Sequence, residues 1–232
     1  MKPLLPPEGG ALRLVVFDWD GTLMDSPQRI VHCLQRACAA LGREAPAESA
    51  LRDIIGLGVE AAVQRLFPGA DTAFVGAFAT AYRQCYLGAT DAPETPLFPH
   101  VEPLLDWLDE RGVLLGVATG KSRAGLDQAL EATGLKGRFV ATACGDEHPS
   151  KPSPVMLERV IARCGVERSR ARMVGDSVYD LQMARAAGVA SLAVAHGVHD
   201  HRRLIDERPL AVARDLKDLL DRLRQSEPLP ED

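Results

Sequence analysis

Two pairs of aspartates stand at spacings that favour a shared cation. Asp18 and Asp20 directly follow the apolar run Leu14-Val15-Val16-Phe17. On an extended chain the side chains at i and i+2 point the same way, so both carboxylates enter one space and Trp19 turns away. Carboxylates held that close repel, and one takes up a proton unless a cation intervenes. Gly21 lets the backbone turn sharply after them, and Thr22 adds a hydroxyl. Asp176 and Asp180 follow a second apolar run, ending at Gly175, and on an opening helix turn their i,i+4 spacing puts them on one face. Either pair alone would serve as a helix cap or a surface acid. Both at strand ends make a hard oxygen site, suited to Mg²⁺ with several waters retained.

Two further segments could hold a phosphoryl group. Thr119-Gly120-Lys121-Ser122 closes another apolar run and opens a helix, where a hydroxyl and free backbone N–H groups are ready donors to phosphate oxygens. Lys151, in Ser150-Lys151-Pro152-Ser153-Pro154, would balance negative charge and clamp the transferring group. Alone, the first is a helix cap and the second a solvated loop cation. Three other motifs are decoys. Gly116 to Ser122 nearly spells a P-loop, but three residues separate its glycines where four are needed, so the phosphate nest cannot form. His196, His199 and His201 are transition-metal ligand types, yet no cysteine or glutamate stands near to complete a site, and a solvated loop is expected. Gly56-Leu57-Gly58 lacks the preceding strand of a dinucleotide fingerprint and is better placed on a loop that dips toward substrate.

The elements that must position these groups follow from the apolar pattern. Short continuous runs at Leu14–Phe17, Val113–Thr119, Phe139–Ala143, Ala171–Gly175 and Val189–Ala195 predict strands buried on both faces. Amphipathic stretches at 102–111, 123–133, 154–164 and 178–187 predict helices between or after them. The class is therefore α/β, with a doubly wound, Rossmann-like parallel sheet. One interval is too long for a crossover. From 24 to 97 the pattern is helical (30–41, 59–67, 74–87), and it is bracketed by Asp25-Ser26-Pro27 and by the prolines at 93, 96 and 99. It reads as a small α-helical module inserted into the α/β domain after the first strand. Expected boundaries are 12–23 plus 98–225 for the α/β core, 24–97 for the inserted module, and loose tails at 1–11 and 226–232.

With 46% apolar and 25% charged residues, the composition is that of a soluble globular protein. A net charge of −5 argues against a nucleic-acid binder, and the apolar runs are too short for a membrane span. The five cysteines include no Cys-x-x-Cys pair and fit reduced thiols, so a cytoplasmic location is expected.

Asp18-Trp19-Asp20-Gly21-Thr22, Thr119, Lys151 and Gly175-Asp176-(x3)-Asp180, in that order, resemble the four motifs of the haloacid dehalogenase superfamily. Ile55-Gly56-Leu57-Gly58-Val59-Glu60-Ala61 and Thr119-Gly120-Lys121 are similar to its phosphoglycolate phosphatases. Trp19 and Gly120 depart from the residues commonest there. The resemblance implies a magnesium-dependent phosphatase whose α/β core is catalytic and whose insert at 24–97 is a small α-helical cap domain. Asp18 would be the nucleophile, forming an aspartyl-phosphate, and Asp20 the general acid and base. Asp18, the Asp20 carbonyl and Asp176 would hold the metal, with Asp180 a water-mediated ligand. Thr119, Gly120 and Lys151 would bind phosphate. The partner implied is a small phosphorylated metabolite. A sugar-phosphate mutase uses the same aspartates but relies on a cap lysine, and residues 24–97 contain none. A non-catalytic phosphate-binding module would lack a motif residue, and none is missing.

Overall fold

Leu14-Val15-Val16-Phe17 carries no polar side chain, so neither of its faces can stay in water. In the computed structural model, which describes Leu4 and residues 11–226, this run is strand β1 (Leu14–Phe17), buried throughout. Val15 and Phe17 enter the apolar layer on one side of the sheet, Leu14 and Val16 the layer on the other. Strands β2 (Leu114–Thr119), β3 (Ala141–Cys144), β4 (Ala171–Gly175), β5 (Ala190–Val194) and β6 (Ala211–Ala213) complete a parallel sheet of order β3-β2-β1-β4-β5-β6. The strand order reverses at β1, which lies between β2 and β4. That reversal opens the crevice where sheets of this kind bind ligands.

The first four of the five helices between β1 and β2 form the insertion: α1 (Pro27–Ala40), α2 (Glu48–Asp53), α3 (Val59–Leu66) and α4 (Thr72–Gly88). Pro27 at the start of α1 presets its first turn. The Asp71 carboxylate accepts the Phe74 N–H at 2.7 Å and caps α4. Ile30, Leu34, Leu51, Val63 and Phe78 form a core that belongs to this insertion. Cys85 Sγ donates to Cys33 Sγ at 2.7 Å between α1 and α4. The two connections to the sheet run side by side: the Asp25 N–H donates to the Pro96 carbonyl at 2.8 Å and the Phe98 N–H to the Leu23 carbonyl at 2.9 Å.

The remaining helices cover the sheet. Helices α5 (Val101–Asp109), α6 (Arg123–Ala132) and α10 (Leu216–Gln225) bury their apolar stripes with Val15 and Phe17. Helices α7 (Val155–Cys164) and α8 (Val178–Ala186) do so with Leu14 and Val16, and α9 (His201–Asp206) precedes β6. Trp19 turns into the first layer, fully buried and edge-on to Phe139. The doubly wound sheet with a helical insertion is the architecture the apolar pattern predicts. Helices α2, α9 and α10 and the three-residue β6 were not anticipated, and β3 begins two residues later than its apolar run. Val140 is exposed there while Phe139 packs against the core. The expected tails lie outside the described residues except for Leu4, Ala11 and Ser226. Leu4 is buried, and its carbonyl accepts from Arg172 Nε at 3.0 Å. No helix among the described residues is long and apolar enough to cross a membrane.

Candidate active site

The ladder of β1 continues one residue past its end, the Asp18 N–H donating to the Val174 carbonyl at 2.9 Å. This fixes the Asp18 side chain at the carboxyl edge of the sheet, where it is almost wholly buried. Lys151 Nζ lies 2.6 Å from Asp18 Oδ1 and 2.7 Å from Asp180 Oδ1, with no exposed surface. Asp180 Oδ2 accepts the Ser177 hydroxyl at 2.7 Å and the Ser177 N–H at 3.1 Å, so the same aspartate caps α8. Asp176 accepts the Thr22 hydroxyl at 2.7 Å on one oxygen and the Val198 N–H at 2.8 Å on the other. Gly21 has φ +87°, and a Cβ there would collide with the Asp176 carboxylate, so glycine is required twice over.

Three buried carboxylates face one buried ammonium, and the imbalance shows in their protonation. Burial pushes the Asp18 carboxyl well above its ordinary range; Lys151 opposes this, while Asp180 and Asp176 add to it. Burial and the charge of Asp180 push Asp176 up to about 7, against the hydrogen bonds from Thr22 and Val198. Burial also works against the charge of Lys151, but Asp18 and Asp180 prevail and hold its pKa above the ordinary value. Ligand oxygens of Asp18, Asp176 and Asp180 all lie within 4.8 Å of one another, and Asp18 Oδ2 has no hydrogen-bond partner. An all-oxygen donor set with excess negative charge and an unused carboxylate oxygen fits Mg²⁺.

Asp20 is held from another direction. Lys121 Nζ lies 2.7 and 3.0 Å from its two oxygens, and Ser26 donates to Oδ1 at 2.6 Å. Lys121 also donates to the Tyr86 hydroxyl at 2.7 Å and sits 4.0 Å over that ring. Sheet and insertion therefore meet at the second aspartate. Thr119 ends β2, and its hydroxyl accepts the Lys121 N–H at 3.2 Å. At Gly120 a Cβ would stand 2.5 Å from the Leu57 carbonyl oxygen and 2.7 Å from that of Gly56. The insertion's loop rests directly on this glycine, which is why no larger residue stands there. Gly58 N–H donates to Ser150 Oγ at 2.8 Å on the same loop. Asp18, Asp20, Thr119, Gly120 and Lys121 line one cleft, partly open to solvent and roofed by Ile54, Ile55, Leu57, Tyr82 and Tyr86.

The resemblance of the four motifs is borne out across the chain. Residues 15–194 match the family model described as haloacid dehalogenase-like hydrolase. The chain belongs to that family. A phosphoglycolate phosphatase from Pseudomonas syringae pv. tomato is 32% identical over 215 residues, 90% of this chain and 78% of its own. A Dickeya dadantii protein named "Probable phosphatase IndB" is 35% identical, with 86% of this chain and 88% of the relative covered. The fold matches the crystal structure of a hydrolase from Pseudomonas syringae with a TM-score of 0.84, over 92% of this chain and 98% of that one, at 22% identity. This haloacid dehalogenase-like hydrolase is a phosphatase, as its relatives are named.

The sequence reading of this phosphatase missed three residues around Asp20. Lys121 stood inside a run read for its phosphate donors, and its i+2 relation to Thr119 was the available clue. Ser26 was read as part of a turn and Tyr86 as one more apolar position of a helix. The histidine loop also needs correction, since a solvated loop was expected. His199 is buried, and its Nδ1 accepts the Val178 N–H at 2.9 Å, serving the open first turn of α8. His196 is half-buried and donates from Nε2 to the Thr22 carbonyl at 3.0 Å. Only His201 is exposed, at the start of α9. Among the described residues the group with metal-ligand spacing is the three aspartates, not these histidines. The loop is drawn inward because its Val198 N–H serves Asp176. A second contact between insertion and core lies close by: Asp53 Oδ1 is 2.7 Å from Arg203 and 3.4 Å from His199 Nε2, and Tyr179 donates to the Asp53 carbonyl at 2.7 Å.

Proposed function

We propose that this phosphatase hydrolyses small phosphomonoesters with Mg²⁺ through an aspartyl-phosphate on Asp18. The observation that carries this reading is the state of Asp18: buried at the sheet's crevice, one oxygen against Lys151, the other without a partner, in a cleft shared with Asp20. An Asp18 oxygen attacks phosphorus in line, the phosphorus–ester oxygen bond breaks, and Asp20 protonates the departing alkoxide. A water then attacks the acyl phosphate and gives its proton to Asp20, and phosphate leaves as Asp18 is restored. Lys151, the Thr119 hydroxyl and the Gly120 N–H hold the transferring oxygens. Lys121 and Ser26 orient Asp20 for both proton transfers. Asp18, the Asp20 carbonyl and Asp176 would hold Mg²⁺, with Asp180 behind a water. Bound there, the metal supplies positive charge that offsets the meeting of an anionic nucleophile with an anionic phosphoryl group.

The names of several relatives make 2-phosphoglycolate the first substrate to assay. The core occupies 12–23 and 98–225 in this reading and the cap 24–97, so the cap closes the site against water. The test is phosphate release from a phosphomonoester panel with and without Mg²⁺, for the parent chain and for Asp18→Asn. Metal-dependent release that falls at least ~10⁴-fold in the variant is expected. Full activity in Asp18→Asn would sink the nucleophile assignment.

A further inference from the structure

From the charges and surface of the cleft we infer that the preferred substrate has a neutral leaving group with an apolar or flat portion. This rests on the phosphomonoesterase reading and departs from the carboxylate-bearing substrate in the relatives' names. Charge decides the first half. The ionisable residues lining the cleft are the acids Asp18, Asp20, Glu60 and Asp146 and the cations Arg83 and Lys121. Both cations are engaged. Arg83 lies 2.7 Å from Glu60 Oε1. Lys121 is bound to both oxygens of Asp20, and its side chain is only 5% exposed. Drawing Lys121 to a substrate carboxylate would leave Asp20 with the Ser26 hydroxyl alone. The other cap arginines are committed as well: Arg29 to the carbonyls of Tyr86, Ala89 and Pro93, Arg36 to Asp91, Arg52 to Glu48 and Arg65 to Asp53, while Arg43 lies over the Phe74 ring. The phosphoryl dianion meets Lys151 and the bound metal. A second anion on the leaving side would meet two cations already paired with Asp20 and Glu60, and the carboxylate of Asp146 besides.

Surface decides the second half. The roof over the leaving side is Ile54, Ile55, Leu57 and Leu87 with the rings of Tyr82 and Tyr86, whose centroids are 5.9 Å apart. Tyr86 already has its hydroxyl against Lys121, whose ammonium also lies over its ring, so it offers the substrate no free polar group. A two-carbon acid would leave that wall wet, whereas a flat or apolar alcohol covers it.

Two matched pairs, each differing in a carboxylate, test this with Mg²⁺ present: benzyl phosphate against 4-carboxybenzyl phosphate, and 2-hydroxyethyl phosphate against 2-phosphoglycolate. The neutral member of each pair is expected to have a kcat/KM at least ~10-fold higher, about 1.4 kcal/mol, with benzyl phosphate the best of the four. Glu60→Gln, at a half-exposed position, releases Arg83 and is expected to narrow both gaps several-fold. If 2-phosphoglycolate matches or exceeds 2-hydroxyethyl phosphate, the inference is overturned while the phosphatase reading stands. Gaps that Glu60→Gln leaves unchanged would overturn the charge argument and the inference with it. No metal-dependent release from any of the four would overturn both readings.

Discussion

The floor and the roof of the cleft are built on opposite principles. The floor is three carboxylates and a lysine, all buried, each tied to a strand end or a helix start. The roof is aliphatic and aromatic, and its charges are neutralised in pairs before a substrate arrives. Burying unbalanced charge is costly, and the imbalance here is two negative charges if all three aspartates are ionised. A protein keeps such an arrangement where a cation and a phosphoryl group complete it. The roof needs no such completion and can be shaped to the alcohol. On the proposed reading the two tasks separate: the floor would set the reaction and the roof would select what undergoes it.

Breaking the floor should have the largest effect and should not depend on substrate. Lys151→Met removes the cation that bridges Asp18 and Asp180, and turnover should fall about 10³-fold on every phosphomonoester. Removing one partner of a buried ion pair costs about 3 kcal/mol, so the melting temperature in metal-free buffer at pH 8 should fall as well. Unequal losses across substrates would mean that the two regions are not separable. Gly120→Asn tests the seam between them. Its side chain has no room beneath the Gly56 and Leu57 carbonyls, so the roof must lift, and kcat/KM should fall roughly 10-fold to 100-fold through the loss of packing and water exclusion. A crystal structure of that variant with the loop unmoved would refute this account of the seam.

The smallest effect concerns metal and pH. Asp176 has a folded-state pKa of about 7 against an ordinary 3.8. Its contribution to the metal-free protein is therefore most favourable below pH 3.8, where the folded chain carries the proton, and is lost as the pH rises through 7. Mg²⁺ must displace that proton at pH 5 but not at pH 8. The rise in melting temperature on adding Mg²⁺ should be larger at pH 8 than at pH 5, by a few degrees. Equal rises at both would show that Asp176 is ionised throughout and that the floor is less strained than its charges imply.

How much was legible beforehand follows the same division. The floor residues are fixed by short spacings along single elements: i and i+2 past a strand for Asp18 and Asp20, i and i+4 on a helix start for Asp176 and Asp180. Local geometry determines which way such pairs point, and the apolar runs before them determine that they stand at strand ends. That is why the sheet, the insertion and the acidic cluster were readable. The Lys121–Asp20–Tyr86 contact was not, because it joins residues 101 and 35 positions apart, and helical periodicity makes Tyr86 one more apolar position. The histidine loop was misread for a related reason. A His-Gly-Val-His run has no local partner, and only the meeting of that loop with Asp176 and the start of α8 gives its N–H and imidazole nitrogens something to bind. Gly120 looked like a departure from a motif until the packing showed two carbonyl oxygens where its side chain would be. Sequence by itself determined the elements and the chemistry at their ends, since these depend on neighbours a few residues away. Tertiary structure alone decided which cations are paired, which glycine bears the roof and what surface the roof presents, because each of these is a contact between segments that the chain brings together only by folding.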